Sequence, residues 1–265
     1  MNTIELLQNE LSKYIDQGIC IAFSGGVDSS LLLKAACELG GQREKAVYGV
    51  MFDTNLHPGN EVKEAKRIAK ECGARFHVIK VNELDNPLIL NNPIKRCYYC
   101  KKFLFELLRE FAKGKSCSYV LDGTNEDDMH TYRPGLQVLE ELNVISPLAK
   151  LHITKDMVRQ MAKKYKISAA GKPSNSCLAT RLPYGARLEQ GTLSEIEAAE
   201  AILKKFGFTI VRLRLHDQIA RIEISKEEFP LFFKQYPQIV EALKKFSFTY
   251  ITLDMEGFRS GSMDL

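Results

Sequence analysis

Apolar positions in the first two thirds of the chain alternate between two patterns. Short apolar runs bounded by turn residues occupy 18–23 (GICIAF), 46–52 (AVYGVMF), 75–81 and 118–122, and predict buried strands; 143–146 begins a possible fifth. Longer stretches between them carry helical spacing. Residues 27–39 are rich in Leu and Ala, and 61–72 end at Gly73, the usual residue past a helix C-terminus. Over 101–113, Phe103, Leu104, Leu107, Leu108 and Phe111 share one helical face. Thr154 is placed to cap a helix running to about Lys164, with Asp156 in its first turn. Strands alternating with helices predict an α/β fold: a parallel sheet with helices on both faces.

Beyond residue 167 the pattern changes. Residues 168–191 are polar, carry Pro173 and Pro183, and show no period, as expected of a linker or active-site loop. A helix is expected from Thr192 to Lys205, with Thr192 and Glu195 at capping-box spacing. Strands at 209–215 and 219–224, a helix around 239–246 and a strand at 249–253 complete a small α+β unit. The expected organisation is therefore 1–168 as the α/β domain, 169–191 as a loop carrying Cys177, and 192–265 as a C-terminal α+β domain that binds substrate.

Composition narrows the class. The 265 residues include 37 Lys+Arg against 33 Asp+Glu, a formal net charge of +4, which suits an anionic small molecule better than a nucleic acid. No apolar run reaches the ~18 residues of a membrane span. The first residues have neither the basic nor the apolar region of a signal peptide, so the cytoplasm is the expected compartment. Of seven cysteines, Cys20, Cys37, Cys72 and Cys117 sit among apolar or helical neighbours and read as core residues. Cys97 and Cys100 form a Cys-x-x-Cys, and Cys177 lies in the polar stretch.

The sharpest local signal is Ser24-Gly25-Gly26-Val27-Asp28-Ser29-Ser30, where a predicted strand gives way to a helix. Glycines admit phosphate oxygens close to the backbone, while hydroxyls and helix N–H groups bind their charge. Neither a Gly-x-x-x-x-Gly-Lys-[Ser/Thr] nor a Gly-x-Gly-x-x-Gly occurs. SGGVDSS resembles the PP-loop of the N-type ATP pyrophosphatases, which cleave ATP between its α and β phosphates. That resemblance implies ATP binding by Ser24, Gly25, Gly26, Asp28, Ser29 and Ser30. It also implies a second nucleotide loop at Asp122-Gly123-Thr124-Asn125, with Gly123 and Asn125, and an adenine-side position at Asp53. Asp28 would orient the loop or help to hold Mg²⁺.

Cys97 and Cys100 are expected just before a helix, beside Lys95, Arg96, Lys101 and Lys102, where thiolates are favoured. Three cysteines without His at ligand spacing favour an iron–sulfur cluster over zinc. A redox pair and unrelated thiols remain alternatives. Arg212 and Arg214, at i and i+2 on a predicted strand, point the same way and suit a phosphate. Glu223 on the neighbouring strand would orient one of them or bind a cation; Arg133 and Arg181 are further phosphate candidates. An ordinary solvated charged face is the competing reading.

SGGVDSS, RCYYCKK, DGTNEDD, PSNSCLATR, VRLRLH and ARIE together resemble the LarE family, over nearly the whole chain. The resemblance implies an ATP-dependent sulfur transferase in the synthesis of the nickel-pincer nucleotide cofactor. Such an enzyme adenylates a carboxylate of a pyridinium biscarboxylic acid mononucleotide and replaces AMP by sulfur. Cys177 matches the cysteine that surrenders its sulfur in one group of members. The added Cys97 and Cys100 resemble instead the subset in which three cysteines, here Cys97, Cys100 and Cys177, hold a 4Fe–4S cluster. The expected cofactors are ATP, Mg²⁺ and that cluster. The expected state is a homo-oligomer that hands its product to nickel-inserting and carboxylating enzymes. A tRNA thiolation enzyme, an ammonia-dependent amide synthetase and a nucleotide-binding module without activity are the alternatives.

Overall fold

A computed structural model describes residues 3–57, 61–131, 134–171 and 176–259. Contacts divide these into two compact units. The first takes the described residues within Met1–Thr54, Gly59–Val81 and Lys95–Asn175; the second takes those within Asn55–Pro58, Asn82–Ile94 and Ser176–Leu265.

The first unit runs α1 (Thr3–Leu11), β1 (Ile19–Ala22), α2 (Val27–Gln42), β2 (Val47–Thr54), α3 (Glu61–Cys72) and β3 (Arg75–Val81). After the single-turn helix α4 (Pro87–Leu90), which belongs to the second unit, come α5 (Arg96–Gly114) and β4 (Tyr119–Leu121). Four short helices, α6 (Glu126–Met129), α7 (Leu136–Glu141), α8 (Pro147–Lys150) and α9 (Lys155–Lys164), complete it. The strands form a parallel sheet in the order β3-β2-β1-β4. Alternation along the strands builds two cores. Ile19 and Ile21 of β1, Met51 of β2 and Leu121 of β4 pack with Leu31, Ile68 and Val158 of α2, α3 and α9. Cys20, Val50 and Val120 face the other way, against Phe105 and Leu108 of α5 and Val138 of α7. The sheet is therefore covered on both faces, as the apolar runs predict.

The second unit holds α10 (Gln190–Lys205), β5 (Val211–His216), β6 (Ile219–Ile224), α11 (Phe229–Leu243) and β7 (Tyr250–Leu253). β5 and β6 are antiparallel, and β7 adds parallel to β6. Val211, Leu213, Ala220, Ile222 and Ile224 are fully buried, as are Ile196 and Leu203 of α10 and Ile239 of α11. No helix among the described residues is long and apolar enough to cross a membrane.

Four elements differ from expectation. The run at 143–146 makes only one parallel bridge, Ile145 to Leu121, because Pro147 starts α8 and has no N–H to extend a ladder. α10 begins at Gln190 with Glu189 as its N-cap and no side-chain cap, so Thr192 is already inside the first turn. Glu195 does not close a capping box; it accepts a hydrogen bond from Ser247 Oγ. α11 starts at Phe229, ten residues earlier than expected, with a proline in its first turn and Pro237 inside. α5 starts at Arg96, so Cys97 and Cys100 lie within the helix, not before it. Tyr98 and Lys102 anchor this added turn by clasping Glu141 of α7.

Candidate functional site

β1 is the switch point of the first unit. The chain leaves it for β2 on one side, and β4 returns on the other, so a crevice opens beyond the carboxyl ends of β1 and β4. That cleft has a volume of about 290 Å³ and is lined from β1 and α2 by Ala22, Ser24, Asp28 and Ser29. The opposite wall is Asp122, Gly123 and Thr124 after β4, with Asp128 of α6 and Lys101 and Phe105 of α5.

The loop geometry follows from its glycines and serines. Gly25 has φ +70°, and a Cβ there would stand 3.1 Å from Ala65 Cβ of α3. Gly26 caps α2 without a side-chain hydrogen bond, which leaves first-turn N–H groups for an anion. Ser24 Oγ accepts from Gly26 N (3.3 Å) and lies 3.2 Å from Ser29 Oγ, so both hydroxyls are held in the cleft wall. Ser30 is fully buried, and its Oγ has no hydrogen-bond partner among the described residues.

The second loop closes directly on the first. A Cβ on Gly123 would lie 2.8 Å from Ser29 N and 3.1 Å from Asp28 C, so only glycine permits the approach. Asn125 Nδ2 donates to Asp28 Oδ1 at 3.0 Å, and Lys155 pairs with Asp28 Oδ2. Both oxygens of Asp28 are engaged, which makes it the joint between three segments. Asp122 accepts from Thr124 Oγ1 (2.6 Å) and Ser146 Oγ (2.6 Å), with Lys101 Nζ at 3.5 Å. Asp28, Asp122 and Asp128 all line the cleft, but Asn125 and Lys155 take both oxygens of Asp28, and the three are not placed as a group to hold a metal ion. Asp53 stands half-buried near the end of β2, in register with Lys80, and does not line the cleft. Gly123→Ala is expected to force the two loops apart and weaken ATP binding at least about tenfold by steric overlap. Titration with ATP checks this, and unchanged affinity refutes the close-approach account.

Helix periodicity sets the surroundings of the Cys-x-x-Cys. Cys97, Cys100 and Lys101 fall at i, i+3 and i+4 on one face of α5, and Lys101 lines the cleft. Arg96 Nη2 lies 3.6 Å from Cys97 Sγ. The core cysteines differ in kind. Burial pushes the Cys37 thiol up to about 12 and the Cys72 thiol up to about 11, and raises Cys20 and Cys117 as well.

The second unit gathers the other candidates. Cys177 precedes a single 3₁₀ turn, Leu178–Arg181. Its carbonyl accepts from Thr180 Oγ1 (2.7 Å), Thr180 N (3.0 Å) and Arg181 Nη1 (3.2 Å). Arg181 is 2% exposed and forks onto Glu200, Nε to Oε1 at 2.7 Å and Nη2 to Oε2 at 3.1 Å. Arg214 is held by Glu223 (3.1 Å) and donates to Thr180 O (2.7 Å). Glu223, fully buried, also takes Arg221 at 3.0 Å. Arg212 stands on the same face of β5, with its guanidinium 5.4 Å from the Phe258 ring centroid and Nη1 on Val211 O. Burial, then the neighbouring Arg181, lowers the Arg212 pKa from its ordinary value. Asn92 fixes the turn from the other side, donating to Pro183 O at 2.8 Å and Leu182 O at 3.1 Å.

The first unit thus brings Ser24, Asp28, Ser29, Gly123 and Asn125 together, and the second Cys177, Arg181, Arg212, Arg214 and Glu223. Arg133 and residues 172–175 of the PSNSC stretch lie outside the described residues. Sequence reasoning missed Lys155, Glu200 and the cleft-lining role of Lys101. Glu200 had a signal: it shares a helical stripe with Leu193, Ile196 and Leu203. Among the described residues, no group of three or more His, Cys, Asp or Glu is placed to hold a metal ion. Cys97 and Cys100 supply two thiols on one helix face, which fits part of a cluster's ligand set.

A sequence model of the NAD synthase family matches residues 1–92. The pyridinium-3,5-bisthiocarboxylic acid mononucleotide synthase of Lactiplantibacillus plantarum is 34% identical over 248 residues, covering 94% of this chain and 89% of that one. An uncharacterised Synechocystis protein is 37% identical, covering 92% and 91%. Another from Methanocaldococcus jannaschii is 30% identical, covering 97% of each.

Proposed function

We propose, since the chain belongs to the LarE family of ATP-using sulfur transferases, that it converts a carboxylate of a pyridinium biscarboxylic acid mononucleotide to a thiocarboxylate in nickel-pincer cofactor synthesis. The reading rests on one observation: a single chain holds both a PP-loop cleft and a buried arginine face beside Cys177.

In the first step a substrate carboxylate oxygen attacks the α-phosphorus of ATP. The α–β bridging bond breaks, and pyrophosphate leaves with the electron pair. Ser24, Ser29 and the first turn of α2 bind the departing phosphates, and Lys101 offsets charge in the cleft. Mg²⁺ would enter with the triphosphate and would neutralise part of its charge. In the second step sulfur attacks the acyl carbon and AMP leaves. Arg212 and Arg214 bind the phosphate of the mononucleotide. Arg181 and Glu200 act as positioning residues, because they fix the turn that carries Cys177.

In this reading Cys97, Cys100 and Cys177 would hold a 4Fe–4S cluster, which would supply the transferable sulfide. The second reading has Cys177 as sole donor. Its sulfur forms a thioester, loss of the Cα proton breaks the Cβ–Sγ bond, and dehydroalanine remains. The co-location of Cys177 with the arginine face favours it. Homo-oligomers and handover to nickel-inserting and carboxylating enzymes belong to the same proposal.

Incubation with ATP and the mononucleotide is expected to release AMP and pyrophosphate. Arg212→Ala should weaken mononucleotide binding about tenfold to a hundredfold, the worth of a charged hydrogen bond, while ATP affinity stays level. ADP and orthophosphate as the products would overturn the first step. A loss of ATP affinity alone would move Arg212 to the nucleotide.

A further inference from the structure

The sheet of the first unit has a second concave site, at the amino ends of its strands. There Gln17 and Gly18 precede β1, Lys45 and Ala46 precede β2, Arg75 opens β3, and Ser116 and Cys117 precede β4. Together they line an open surface concavity of about 490 Å³, larger than the 290 Å³ of the nucleotide cleft.

Its chemistry is one-sided. Lys45, Arg75 and Lys115 line it, and none of the three is ion-paired among the described residues. The single lining carboxylate, Asp16, is ion-paired with Arg43 at 2.7 Å, and Arg43 is not in the wall. Arg75 Nη1 donates to Tyr48 Oη at 3.2 Å, which leaves the phenol hydrogen to donate to a ligand oxygen. Lys115 lies over the Phe111 ring, and that ring packs edge-on against Tyr48 of the wall. Three uncompensated cations around one concavity attract polyanions.

We infer that this concavity binds a phosphorylated small molecule of nucleotide size, at a site separate from the nucleotide cleft. Phosphate suits the wall better than a monocarboxylate, because it carries more charge and more acceptor oxygens for two ammonium groups and a guanidinium. The same cations also follow the C-termini of α2, α3 and α5, whose carbonyl ends they stabilise. Helix-end pairing is therefore the competing role for them.

The probe is inorganic pyrophosphate, titrated calorimetrically into the full chain carrying Arg212→Ala, with a non-hydrolysable ATP analogue saturating the cleft. One pyrophosphate per chain is expected to remain bound, and its affinity to fall with rising salt. Each of Lys45→Gln, Arg75→Gln and Lys115→Gln should weaken it about two- to fivefold, the range for exposed ion pairs, and the triple variant about ten- to a hundredfold. Made in the chain that keeps Arg212, the triple substitution should leave ATP-dependent turnover unchanged. No remaining site, or a site indifferent to the triple substitution, overturns the inference. A lower unfolding midpoint with unaltered pyrophosphate binding would overturn it too, reducing the cations to helix-end partners. If the triple variant fails to fold, Lys115→Gln alone, at an exposed position, replaces it: weaker pyrophosphate binding supports the site, and unchanged binding removes it.

Discussion

Cys177→Ala is expected to abolish thiocarboxylate formation while AMP and pyrophosphate release continue from the adenylation step. Both proposed sulfur routes pass through this residue, as cluster ligand or as donor, whereas the cleft proposed for adenylation lies in the other unit. The attacking sulfur must approach the acyl carbon to about 3–3.5 Å, so a turn clamped by Arg181, Arg214 and Asn92 has no substitute for the lost thiol. Product masses with and without the substitution check the separation of half-reactions. Thiocarboxylate formed by the variant would exclude Cys177 from sulfur transfer. Cys97→Ala and Cys100→Ala divide the two routes. Under the cluster reading each loses iron, acid-labile sulfide and multiple turnover in anaerobically purified protein. If both variants remain fully active, and the chain loses one H₂S equivalent at Cys177 per event by intact-protein mass, the cluster reading fails.

The first unit is legible because its signals are local. A buried parallel strand is a short apolar run, and Ile19, Cys20 and Ile21 show it without reference to any partner. The loop of Ser24 to Ser30 declares itself by its place between such a run and a helix. What sequence does not reveal is which charges neutralise one another across the fold. Lys155 meets Asp28 from 127 residues away, a pairing no periodicity encodes. Asn92 reaches Leu182 and Pro183 because residues 82–94, flanked on both sides by first-unit chain, pack into the second unit. The Cys-x-x-Cys departs from expectation for a different reason. Its basic and aromatic neighbours read as a polar approach to a helix, but Tyr98 and Lys102 gain Glu141 as a partner only when α5 extends to Arg96. Arg212 and Arg214 are readable as a pair from their spacing. Their unequal state is not, since Glu223 holds Arg214 and leaves Arg212 on the Phe258 ring.

Glu200→Ala is expected to cost the second unit about 3–5 kcal/mol, the usual effect of removing one member of a buried ion pair. Arg181 and Glu200 are 2% and 4% exposed, so water cannot replace the lost carboxylate. The same carboxylate accepts from Leu213 N at 2.9 Å, which ties α10 to β5. Without it Arg181 and Arg212 form an uncompensated positive patch, in a place where burial and Arg181 already disfavour the charged form of Arg212. Arg181 would also lose the fork that aims Nη1 at the Cys177 and Ser176 carbonyls, so the sulfur-bearing turn loosens with the fold. Circular dichroism during heating and in urea should show the loss as an earlier transition, and added inorganic phosphate should recover part of it by supplying the missing negative charge. The double variant Arg181→Met/Glu200→Leu replaces the ion pair by apolar contacts of similar size. It should fold nearly as stably as the parent while remaining poor in sulfur transfer, because the Cys177 carbonyl then keeps only its local bonds from Thr180 and loses its tie to α10. If Glu200→Ala unfolds at the parental midpoint, the pair carries no buried charge. If the double variant transfers sulfur normally, Arg181 has no part in positioning the turn.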